Sequence, residues 1–147
     1  MDPRSTPHEP RPGLELATSV LARRDFSEHG LRERLARAGV EHDEAEDAIG
    51  RLRQAGVVDD RRFAGDRARA LAERGKGDAA IRFDLERQGV AAEQVDEALA
   101  TLEPERERAE RIVERRGAGP ATARLLANRG FDVDAVEAAL RPAPEGR

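Results

Sequence analysis

Nucleophilic and metal chemistry have little to work with in this chain of 147 residues. It contains no cysteine, so neither a thiolate nucleophile nor a thiolate metal site nor a disulfide framework can form. The three histidines, His8, His29 and His42, stand at no ligand spacing from one another and read as solvated surface residues. No serine lies in the setting of a nucleophile elbow. Carboxylates are grouped at Asp43-Glu44-Glu46-Asp47 and at Glu103-Glu105-Glu107, where solvated helix faces are a simpler reading than metal or acid/base sites. No enzyme, no cofactor and no metal site is expected. What remains is the recognition of charge.

The formal net charge is −4, but its distribution is uneven. Residues 61–91 carry 8 basic side chains (Arg61, Arg62, Arg67, Arg69, Arg74, Lys76, Arg82, Arg87) against 5 acidic ones, while the segments on either side are net acidic. A smaller basic group, Arg23, Arg24, Arg32, Arg34 and Arg37, lies nearer the N-terminus. Lys76 is the only lysine, so a general bias toward arginine accounts for part of the pattern. Arg62 and Asp66, Asp66 and Arg69, and Arg69 and Glu73 stand three or four residues apart, as on a salt-bridged helix face. As a block, however, an island of one sign exerts a field that scattered pairs do not.

The elements that must position these charges are announced by a repeated cassette. Gly39, Gly89 and Gly130 are each followed by an apolar residue, Val40, Val90 or Phe131. Four residues before each glycine stands Leu35, Leu85 or Leu126; six after it stands Ala45, Val95 or Val136; ten after it stands Ile49, Leu99 or Leu140. Eighteen before it stands Leu21, Leu71 or Ile112. Such a shared period is the mark of an array of one small unit. The i, i+4, i+7 spacing of Ala45, Ile49 and Leu52 draws a single apolar stripe on a helix. Each glycine suits a left-handed C-cap, and β-branched and aromatic residues are too sparse for strands. The spacing predicts an all-α fold of three tandem three-helix repeats over residues 14–56, 57–102 and 103–141. Residues 1–13, rich in proline, and residues 142–147 are expected to be mobile tails. The third repeat is shorter and a weaker match, with Thr122 in the place of Leu31 and Ile81.

The second repeat holds the most specific local sequence. Asp59 or Asp60 can cap a helix that opens on Arg61-Arg62-Phe63-Ala64. That helix closes at Arg74-Gly75-Lys76-Gly77, after which Asp78 is placed to cap residues 79–88. The glycine turn lacks the GxxxxGK[ST] spacing of a phosphate-binding loop and follows no strand. Pro104 suits the first turn of the next helix. Phe83 falls between Ile81 and Leu85, off their stripe. Packing against a neighbouring repeat is the expectation for it, the alternative being an exposed anchor for a partner.

The order Val58-Asp59-Asp60-Arg61-Arg62-Phe63-Ala64, Arg74-Gly75-Lys76-Gly77 and Ile81-Arg82-(x)2-Leu85-(x)3-Gly89-Val90 resembles the central signature of the RecX regulatory proteins. Leu21-Ala22-Arg23-Arg24-Asp25-Phe26-Ser27 with Leu31-Arg32-(x)2-Leu35, and Leu126-(x)3-Gly130-Phe131, agree with it, so the resemblance covers about residues 14–141. It implies an elongated, somewhat curved array of three-helix repeats. It also implies a modulator that binds the RecA recombinase and its filament on single-stranded DNA and restrains recombinase and coprotease activity. On that resemblance Arg61, Arg62, Arg74, Lys76, Arg82 and Arg87 are candidate contacts to RecA or the DNA backbone, with Arg23, Arg24 and Arg32 extending the surface and Phe83 as a candidate anchor.

The acidic balance, with an isoelectric point near 5.5, argues for weak affinity for free DNA. A helix-turn-helix regulator is the alternative reading, with the helix after Gly39 or Gly89 in a groove. Residues 41–47 (EHDEAED) and 93–97 (EQVDE) speak against it, since carboxylates would face phosphates. No run approaches the ~20 apolar residues of a membrane span and no signal-peptide pattern opens the chain, so a cytoplasmic monomer is expected.

Overall fold

A computed structural model describes residues 11–142, and among them lie helices without any strand. In chain order these are α1 (Pro12–Leu21), α2 (Glu28–Arg37), α3 (His42–Gln54), α4 (Asp60–Glu73), α5 (Asp78–Arg87), α6 (Ala92–Ala100), α7 (Glu105–Arg116), α8 (Pro120–Asn128) and α9 (Val133–Leu140). The fold is all-α, with helices gathered in threes around three separate apolar clusters. The first holds Phe26, Leu31, Leu35, Ile49, Leu52 and Val58. Phe63, Ile81, Leu85, Val90 and Val95 make the second. Ile112, Leu126, Phe131 and Val136 make the third. By compactness the chain forms two units, one up to Asp60 and one from Arg61 onward that contains both the second and third clusters.

The cassette glycines do what their spacing predicts. Gly39, Gly89 and Gly130 take φ of +85°, +76° and +87°, a region that side chains with a Cβ avoid. In the first turn Val40 N–H donates to the Leu35 carbonyl at 3.0 Å and Gly39 N–H to that of Ala36 at 3.0 Å. Val90 with Leu85 and Phe131 with Leu126 repeat the bond at 3.1 and 3.0 Å. These are Schellman turns, in which the apolar residue after the glycine packs on the leucine that accepts its amide. One residue type thereby caps the helix and closes the core. Leu35 and Leu85 are fully buried at that accepting position. Leu85→Ala is expected to cost about 2–5 kcal/mol in urea denaturation, through lost burial and the cavity left behind.

Several boundaries differ from the sequence expectation. Pro12 and Gly13, assigned to a tail, are the first residues of α1, and Gly13 is buried with its N–H on the Glu44 carboxylate at 2.8 Å. The rest of the proposed tails, residues 1–10 and 143–147, lies outside the described residues. Val58, assigned to the second repeat, is 1% exposed and belongs to the first cluster. Pro104 precedes α7 as its N-cap rather than lying in its first turn. Asp78 is the first residue of α5, not its cap, and Gly77 holds the cap position without a side chain to offer. Asp60 is the first residue of α4 and reaches a different helix. Its carboxylate accepts the Glu28 N–H at 2.7 Å, at the start of α2.

Candidate functional site

The glycine turn between α4 and α5 is where the second repeat meets the third. A helix that starts at a glycine leaves its first amides without a side-chain acceptor. Here the third repeat supplies the acceptors. Gly77 N–H donates to the Arg129 carbonyl at 2.8 Å, Asp78 N–H to Glu105 Oε2 at 2.7 Å, and Ala79 N–H to the Gly130 carbonyl at 3.2 Å. The other oxygen of Glu105 accepts the Asp132 N–H at 2.6 Å, so one carboxylate caps two helices. A Cβ on Gly77 would overlap the Gly130–Phe131 backbone, and one on Gly130 would lie 2.6 Å from the Ala80 nitrogen. The glycines are required by close backbone approach as much as by turn geometry.

Arg108 locks the same seam. It is 9% exposed, and its guanidinium donates to the carbonyls of Glu103 and Lys76 at 2.9 and 3.0 Å and to the Asp78 carboxylate. Buried arginines of this kind are tolerated only when the planar fork is well satisfied. No signal in the repeat pattern singled out Arg108, because ERERAERIVERR reads as a solvated helix.

The arginines expected to form the working surface fall into separate environments. Arg32 pairs with Glu46, Arg61 with Glu97 at 3.1 Å, and Arg82 with Asp96 at 2.8 Å. Of the other island residues, Arg67 is tied to Asp84 and Arg69 to Asp66. Direct hydrogen bonding in the Arg32–Glu46 pair holds the guanidinium above and the carboxyl below their ordinary pKa ranges. The same cause raises Arg67 beside Asp84 and Arg53 beside Glu28, whereas burial pushes the Asp60 carboxyl up. Arg62 is exposed on α4. Arg74 and Lys76 are exposed and form no ion pair with a described residue. The acidic groups read as solvated faces thus have structural employment: Glu44, Glu46, Glu103 and Glu105 each hold a backbone amide or an arginine.

Phe83 does not pack against a neighbouring repeat. It is 64% exposed on α5, with the Arg87 guanidinium 5.9 Å from its ring. In the first unit Arg24 lies over Phe26 at 4.3 Å, and the two line a cleft of about 360 Å³ with Arg23 and Arg34. The expected candidates Arg23 and Arg24 thus line one cleft, whereas Arg32 is engaged on Glu46.

A more basic cleft lies in the second unit, and part of it escapes a reading by sequence segments. Arg74 shares a space of about 400 Å³ with Arg115 and Arg116 from the end of α7 and Arg129 from the end of α8. Summing charge along the chain hides the last three, which sit in a net acidic segment. The cassette register does contain a signal for one of them. Arg24, Arg74 and Arg115 each stand fifteen residues before the repeat glycine, at or just past the end of the first helix of each repeat.

Residues 14–52 match a family model described as the first three-helix domain of RecX, and residues 59–99 match one described as the second. A curated protein of Stenotrophomonas maltophilia (strain R551-3), "Regulatory protein RecX", is 34% identical over 95% of this chain and 91% of its own length. The chain belongs to the RecX family. A RecX relative from Xanthomonas axonopodis pv. citri (strain 306) is 36% identical over 87% of the chain and 85% of its own. The crystal structure of RecX from Lactobacillus salivarius superposes with a TM-score of 0.75 at 18% identity, covering 88% of this chain and 92% of that one. A second RecX crystal structure gives 0.72 at 20% identity, over 86% of this chain and 68% of the other. RecX is a family of regulatory proteins. No described helix is long and apolar enough to cross a membrane.

Proposed function

We propose that this RecX-family chain binds the RecA recombinase and its filament on single-stranded DNA, limits filament growth, and so damps strand exchange and the linked coprotease activity. It would act as a cytoplasmic monomer, without catalysis or a cofactor. The observation that carries the reading beyond family membership is the outer face of α5. A large aromatic ring exposed beside an arginine stacked over it is an arrangement typical of residues that concentrate binding energy at protein interfaces. Arg74 and Lys76 add positive charge with no carboxylate partner among the described residues, which suits an acidic partner or the strand within the filament. The helix-turn-helix alternative finds no support in α3 and α6, whose first turns carry Asp43, Glu44 and Glu93.

Phe83→Ala tests the reading. The side chain is exposed, so the melting temperature should hold. Loss of a hot-spot ring costs about 2 kcal/mol or more, so roughly thirtyfold more protein should be needed to restrain a RecA filament on single-stranded DNA. Equal potency of variant and parent in real-time filament disassembly would remove α5 from the interface.

A further inference from the structure

The cleft at the ends of α4, α7 and α8 is more basic than the fold requires, and of its four arginines only Arg74 is among the proposed filament contacts. Its walls carry the side chains of Arg74, Arg115, Arg116 and Arg129, and Glu73 is its one acidic residue. None of the four arginines forms an ion pair with a described residue, although Arg69 and Arg111 in the adjoining cleft are held by Asp66 and Glu103. Gly75 also lines the cleft and takes φ of +83°. A Cβ there would fall 2.6 Å from the Arg129 guanidinium and 3.8 Å from Ile112, so the missing side chain is what lets Arg129 lie across the turn.

The ordinary account of arginines at helix C-termini is that they complement the negative end of the helix dipole. That accounts for one cation per helix end at a solvated surface. Here it accounts for one cation at each of the three helix ends, but not for a second on α7 nor for the convergence of all four on one space of about 400 Å³, where like charges repel. Planar guanidinium forks bind phosphate oxygens two at a time. The density of charge in so small a volume matches a chain of linked phosphates better than a lone carboxylate.

We propose that this cleft binds an oligophosphate anion, with Arg115 and Arg116 gripping it from α7 and Arg74 and Arg129 closing over it from the turns. The inference stands apart from the RecA reading, because direct binding tests it with no recombinase present. Inorganic tripolyphosphate titrated into the full chain by calorimetry, at constant ionic strength, is expected to bind one to one and to raise the melting temperature. Citrate, a tricarboxylate, titrated at the same ionic strength should bind much more weakly. Arg115→Ala with Arg116→Ala should weaken binding by about tenfold or more, the loss of charge-assisted hydrogen bonds. Arg111→Ala, which removes an arginine already engaged by Glu103, should leave it unchanged. Competition by a single-stranded oligonucleotide would identify the occupant as a strand's phosphates, and competition by ATP alone would identify a free nucleotide. Binding no tighter than that of citrate, or undiminished in the double variant, would overturn the proposal. The titration of the parent protein decides the matter even if the double variant misfolds.

Discussion

Arg108→Ala is expected to destabilise the second unit by about 2–4 kcal/mol, a large share of what holds a small helical domain together. The guanidinium serves three acceptors from two repeats at once, and alanine leaves the carbonyls of Lys76 and Glu103 without their charged donor. Hydrogen bonds to charged groups contribute roughly 1.5–3 kcal/mol each. The Asp78 partner is nearly half exposed and recovers solvation from water, so the full sum is not expected. Arg108→Lys should rescue little, because an ammonium cannot reproduce the planar fork. Urea denaturation gives the magnitude. Hydrogen exchange gives the location, with the amides of Gly77, Asp78 and Ala79 losing protection before those of α2. Uniform loss across both units, or none, would contradict the role assigned to Arg108.

Reversing Arg61, Arg62, Arg74 and Lys76 to glutamate is expected to abolish filament restraint. Affinity should fall by 2 kcal/mol or more, roughly thirtyfold, since like charges across an interface both remove attraction and add repulsion. Helicity should hold, because all four are exposed. The structure also ranks them. Arg61 is paired with Glu97, so reversing it disturbs α6 as well as any partner, whereas Arg74 and Lys76 have no carboxylate to lose. The double reversal of Arg74 and Lys76 should therefore account for most of the effect. Co-sedimentation with RecA filaments at two salt concentrations checks this. Wild-type binding by the quadruple variant would make the basic island a solvated face.

Positions whose role is set by local geometry were readable from the chain. The cassette glycines, the leucines that accept their turns and the apolar residues that follow are one local motif repeated at one period. A window of six residues specifies each. The seam was not readable, because its parts are remote and individually ordinary. Glu105 looks like one acid among several, yet it reaches the starts of α5 and α9 together. Gly77 reads as a turn residue, yet its φ of −82° is ordinary and its importance lies in the backbone that crosses it. Charge shows the same division. Sums along the chain found Arg74 and Lys76 but not Arg116 and Arg129, because a cleft draws from several segments and a running total does not. Phe83 was placed correctly off the apolar stripe, but nothing local says whether an off-stripe ring is covered.

The way α5 is sealed also bears on how many copies such an array can have. A gene truncated after the codon for Leu102 would remove Glu105, Arg108, Arg129 and Gly130, and with them the acceptors that the amides of Gly77, Asp78 and Ala79 use at the start of α5. The damage would fall within the copy that remained. A deletion of the last repeat is thus not a simple shortening, and a two-repeat descendant would need new capping residues at positions 77 and 78 before it could fold as well.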